Sequence, residues 1–181
     1  DSLQAPSCPV FRLPRQAGFV KAMAKGDTMT DLSVLNRFAP HEDLAASLLP
    51  HVDGTNDGSH DLAHIARVFR NAMRFATPKP ADARILAAAV LLHDCVSVEK
   101  NSPLRAQSSR LAADRAAGIL DGLGWSGVDC ARVHHAVVTH SFSAGLTPQS
   151  AEAKILQDAD RLDAIGAIGA ARCFYTAGRM G

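Results

Sequence analysis

No apolar run in this chain approaches the ~20 residues needed to span a bilayer, and its N-terminus lacks the basic, apolar, small-residue order of a secretory leader. Four cysteines (Cys8, Cys95, Cys130 and Cys173) lie far apart with no CxxC pair, which fits reduced thiols better than a disulfide frame or a thiolate zinc site. These absences predict a soluble, cytoplasmic protein with no membrane partner. Charge of one sign is also missing: 19 Lys and Arg stand against 18 Asp and Glu, so nucleic acid is not an expected partner and any anion binding must be local. Period-2 alternation is scarce, alanine is abundant, and there is no internal repeat or low-complexity tract.

What remains is one domain's worth of helical sequence, 181 residues long and able to bury a real core. The first 28 residues carry Pro6, Pro9 and Pro14 without sustained periodicity, so residues 1–28 read as a disordered or artefactual extension and Met29 as the natural start. From Thr30 onward the spacing predicts helices at 31–38, 41–50, 59–76, 81–94, 103–121, 127–140 and 149–178, an all-α bundle over 29–181.

Three stretches carry chemistry. The run Ile85–Leu92 holds no polar side chain and leads directly into His93-Asp94. A segment apolar on every face belongs inside the protein, and a buried carboxylate needs a partner ion or hydrogen bonds. One divalent cation would satisfy both the imidazole and the carboxylate, although a hydrogen-bonded His-Asp pair closing the helix accounts for them equally well. In 59–76, Ser59 is a natural N-cap and Asp61 suits the first turn; Leu62, Ile65, Phe69, Ala72 and Ala76 share one face, and His60, His64, Arg67, Asn71 and Arg74 the other. That second stripe is either solvated or directed into a polar pocket with His64 on a metal and Arg67 on an anion. The third stretch is Gln157-Asp158-Ala159-Asp160-Arg161-Leu162-Asp163. Asp158 and Asp160 project about 200° apart on a helix and cannot both reach one ion. The apolar stripe Ile155, Ala159, Leu162 and Gly166 places Asp158 nearer the core.

Taken in order, His64, His93-Asp94 and Asp160 resemble the H…HD…D signature of the HD-domain metal-dependent phosphohydrolase superfamily. The resemblance covers about residues 55–178 and extends to Ser59-His60-Asp61, Ala88-Ala89-Val90-Leu91-Leu92 and Lys100-Asn101-Ser102-Pro103. It is closest to small stand-alone bacterial members. It implies an all-α HD-domain bundle with a metal site between helices. His64, His93, Asp94 and Asp160 would be the ligands of one divalent ion (Mn, Co, Ni, Fe, Zn or Mg), with room for a second. Asp160 is preferred over Asp158 because the final aspartate of the signature stands in an A-D-x-L context.

The implied activity is hydrolysis of a nucleotide or another phosphorylated small molecule by metal-activated water. Arg67, Lys100 and Arg105 are the candidate cations for substrate phosphate, and His140 is a pocket histidine contacting it or a ligand of a second ion; His134 and His135 point elsewhere. Some relatives carry an acid three positions after the HD aspartate; here that position is Ser97, which leaves Glu99 and Asp61 beside Asp94 as candidate catalytic carboxylates. Relatives also tend to continue past the position of Gly181, so the domain is expected to be truncated there. A catalytically weak nucleotide or metal sensor and a dinuclear iron oxygenase are the competing functions, and a homodimer remains open.

Overall fold

The computed structural model describes residues 32–52, 61–78, 80–98 and 102–180. Among these residues the secondary structure is entirely helical: α1 (Leu32–Leu35), α2 (Glu42–Leu48), α3 (Leu62–Ala76), α4 (Ala83–Leu92), α5 (Ser108–Gly122), α6 (Gly127–His140), α7 (Ala151–Asp163) and α8 (Gly166–Met180), with short 3-10 turns at Asn36–Phe38, Leu49–His51, Arg105–Gln107 and Phe142–Ala144. The expected extension 1–28 lies outside the described residues.

Local sequence sets the helix starts. The Asp82 carboxylate accepts from the Arg84 and Ile85 N–H groups at 3.0 and 3.2 Å, and Ser126 and Ser150 hydroxyls accept from the Asp129 and Ala153 N–H groups, each at 3.1 Å. Each cap satisfies donors the helix cannot, an effect of about 1 kcal/mol. For α3 the cap is Asp61, which accepts from the His64 N–H at 2.8 Å. The helix therefore starts later than the sequence suggests, and Ser59, the expected cap, lies outside the described residues.

The helix α4 is the axis of the core. Every residue from Ile85 to Leu92 is at most 2 % exposed, and α2, α3, α5, α6 and α7 all pack on it. Phe38 and Phe69 of α3 meet edge to face, with ring centroids 5.3 Å apart. Glu152 fastens α7 to the start of α4: its carboxylate accepts from the Asp82 N–H at 2.9 Å and from Arg132 Nη2 at 3.1 Å. Burial opposes ionisation of Glu152, but these donors outweigh it and lower its pKa.

The predicted helix 149–178 is in fact two. The chain leaves α7 at Asp163 and turns at Gly166, whose φ of 69° is open to glycine and strained for other residues. Gly169 allows the return: a Cβ there would collide with the Ala164 carbonyl. The break also moves the buried face. Leu162 is 40 % exposed, and the inward face of α7 runs through Glu152, Ile155, Leu156, Ala159 and Asp163 instead.

Candidate metal centre

Three helices and one helix end converge on a single point. His64 enters from the first turn of α3, His93 and Asp94 from the end of α4, Asp160 from the last turns of α7 and His140 from the last residue of α6. His64 and His93 have no solvent exposure, whereas the Asp94 and Asp160 side chains are each 24 % exposed. The site is sealed on its imidazole side and open on its carboxylate side.

Hydrogen bonds fix which nitrogen of each ring faces inward. His93 Nδ1 donates to the Val90 carbonyl at 2.7 Å, and His140 Nδ1 donates to the Val137 carbonyl at 2.5 Å. A carbonyl only accepts, so both rings carry their proton on Nδ1 and turn Nε2 into the cluster. His64 Nδ1 donates to Asp163 Oδ2 at 2.7 Å, with the same result.

The Nε2 atoms of His64 and His93 are 3.3 Å apart. Asp94 Oδ2 lies 3.6 Å from the former and 3.3 Å from the latter, and Asp160 Oδ1 lies 3.4 and 3.9 Å from the same two atoms. At that separation either a proton or a metal ion lies between the two nitrogens, and an edge of about 3.3 Å is what two ligands at about 2.0–2.1 Å from a tetrahedral ion would span. His64, His93 and Asp94 offer atoms all within 4.8 Å of one another; Asp160 is the outlying member, reaching both imidazoles from its own helix. The electrostatics agree: burial alone would lower the His93 pKa, but attraction to Asp94 and Asp160 outweighs it and raises it to about 9. His140 is lowered, by burial first and then by repulsion from His93, and stays a neutral ring whose Nε2 is 4.0 Å from Asp94 Oδ1. The cluster attracts a cation, and its mixed N and O donors fit a divalent transition metal.

Behind His64 lies a residue that the sequence reading assigned no role. Asp163 accepts from Arg67 Nε at 2.6 Å and Nη2 at 2.9 Å, from Arg172 Nη1 at 2.8 Å and from His64. Burial opposes its ionisation, yet these donors hold its pKa well below the ordinary carboxylate range.

The remaining expected site residues have other surroundings. Arg67, assigned by sequence to substrate phosphate, has two of its three nitrogens on Asp163. Asp61 caps α3. Arg105 Nη1 donates to the Val98 carbonyl at 3.1 Å and so ties down the segment that follows Asp94. Asp158, the wheel's preference, is exposed. Glu99 and Lys100 lie outside the described residues. His134 contacts Asp114 at 2.9 Å and His135 Nε2 accepts from the Gln149 N–H at 3.1 Å, so neither joins His140 at the cluster. Cys95 packs in the core with Sγ 3.4 Å from the Ala112 carbonyl. A cavity of about 470 Å³ lined by Pro40, His41, Arg84 and Trp125 among others includes none of the cluster residues.

Comparison with known proteins gives consistent matches. The family model for the HD domain matches residues 61–165. An uncharacterized protein of Bacillus subtilis, YpgQ, is 36% identical over 126 residues, covering 67% of this chain; the match spans 59% of that relative's length. Among solved structures, a predicted HD superfamily hydrolase from an uncultured Thermotogales bacterium has a TM-score of 0.55 at 33% identity, covering 78% of this chain and 72% of that one. A protein from Lactobacillus plantarum has a TM-score of 0.61 at 29% identity, covering 83% and 65%.

Proposed function

Given that this chain belongs to the HD-domain family, we propose that it is a metal-dependent phosphohydrolase acting on a nucleotide or other phosphorylated small molecule. The observation that carries this reading is the convergence of two inward-facing Nε2 atoms with the Asp94 and Asp160 carboxylates, sealed behind and open in front. A divalent cation held there would polarise a phosphoryl group and lower the pKa of water.

The chain's own residues do the rest. An ion bound in place of the proton that His93 otherwise keeps would be ligated by the Nε2 atoms of His64 and His93, each ring fixed by its Nδ1 bond. Asp94 reaches the cluster with one oxygen and faces His140 with the other, leaving it placed to hold a proton between the attacking water and the pocket. His140, whose Nε2 faces Asp94 from the end of α6, remains the proposed histidine contact for substrate phosphate. Glu99 remains the proposed further carboxylate for proton transfer, and Lys100 and Arg105 the proposed phosphate cations.

Phosphate release from nucleoside mono-, di- and triphosphates, assayed with added Mn, Co, Ni or Mg, tests the reading. Metal-dependent release that is lost in Asp94→Ala is expected, with Glu99→Ala slowing turnover while metal stays bound. Thermal stabilisation by a nucleotide without phosphate release would identify a sensor instead.

A further inference from the structure

The Asp163 carboxylate has four donors around it. Its Oδ1 accepts from Arg67 Nε, and its Oδ2 accepts from His64 Nδ1, Arg67 Nη2 and Arg172 Nη1, at 2.6–2.9 Å. Oδ2 carries three of the four bonds and Oδ1 the fourth, so the group cannot turn without losing a charge-assisted bond. These donors come from α3 and α8, whereas Asp163 closes α7. The Asp163 side chain is 3 % exposed and that of Arg172 17 %.

The same oxygen that anchors Arg172 also holds the His64 ring. Three helices are thereby tied to the orientation of one imidazole, whose other nitrogen is 3.3 Å from His93 Nε2. Few other groups on α8 reach inward: Ile168, Phe174 and Tyr175 are all exposed, and among the described residues α8 packs only sparsely, chiefly on α7.

We propose that Asp163 and Arg172 are positioning residues for the metal centre, holding His64 with Nε2 toward the ion and making α8 part of the site's support although it contributes no ligand. This rests on the metal-binding reading above. Residues of this kind, which hold a ligating histidine by its second nitrogen, typically affect metal affinity by 10- to 100-fold. Asparagine cannot replace Asp163: an amide has a single acceptor oxygen, so its NH₂ must face one of the surrounding donors. Turned toward His64, that NH₂ would favour the tautomer with the proton on Nε2, the atom the ion needs.

Titration with Co(II) alone decides the matter, read by affinity and by the visible absorption of the bound ion. Asp163→Asn is expected to weaken Co(II) binding by about 10- to 100-fold and to alter the spectrum. Arg172→Gln is expected to weaken it less, and Arg172→Lys, which keeps one charged donor, to recover part of the loss. Metal-free circular dichroism of each variant separates this from a purely structural role, which would lower stability while leaving affinity and spectrum of the folded protein unchanged; that result overturns the proposal. Should Asp163→Asn fail to fold, wild-type affinity and spectrum in Arg172→Gln overturn it alone. A wild-type protein that binds no Co(II) refutes the metal-site reading and this inference with it, whereas binding that is equal in all variants refutes only the inference.

Discussion

Three imidazoles meet at the candidate centre with the same nitrogen turned inward, and in each case the cause is a fixed acceptor on the opposite nitrogen: a carbonyl three residues back for His93 and His140, a carboxylate from another helix for His64. At this scale Asp158 and Asp160, two of the three aspartates of α7, are separable. Asp160→Asn should weaken metal binding because its oxygen lies 3.4 Å from His64 Nε2, whereas exposed Asp158→Asn should leave metal binding unchanged and shift stability by less than about 0.5 kcal/mol; parallel metal titrations and melts check both. Acid sensitivity also belongs to single residues. Glu152 and Asp163 have folded pKa values below their ordinary ones, so their stabilisation is present at neutral pH and is lost as pH falls below about 4. Glu152→Gln should cost about 1–3 kcal/mol at pH 7, since it weakens the bonds to Arg132 and the Asp82 N–H, and should flatten the acid limb of a melting-temperature profile.

Between residues and the molecule stand the helices. The packing of α4 was legible from sequence because eight successive apolar residues admit no solvent-facing side, and the structure buries all of them. The reading of α7 and α8 as one helix failed for a physical reason. Gly166 and Gly169 are compatible with a helical apolar stripe on paper, but a positive φ at the first and a backbone contact at the second make a turn that periodicity does not register. The same stripe pointed to Leu162 and away from Asp163, because a wheel weighted by hydropathy cannot recognise an inward face that has carboxylates at both ends. The pairing of Asp163 with His64 was out of reach too, since nothing in the sequence joins residues on helices so far apart. Gly169→Ala tests the turn: a methyl group against the Ala164 carbonyl forces α8 away, at a cost of about 1–3 kcal/mol. Because Arg172 lies one turn further on, metal affinity should fall together with the melting temperature.

For the molecule as a whole, family membership places the chain among HD-domain proteins, and no described helix is long and apolar enough to cross a membrane. The H…HD…D order alone implies the ligand set, and the fold brings those four side chains together from three segments around one sealed face. A cation bound only by the folded chain stabilises it by mass action, about 2.7 kcal/mol at a free concentration of 100 Kd, which for a domain of this size raises Tm by about 5–10 °C. That rise should be absent in Asp94→Ala. The most direct measurement is anomalous diffraction from crystals grown with Mn(II). We expect one strong peak bonded to His64 Nε2, His93 Nε2 and the carboxylates of Asp94 and Asp160; a saturating Mn(II) concentration that leaves this point without a peak, or places the ion on other residues, would contradict the account.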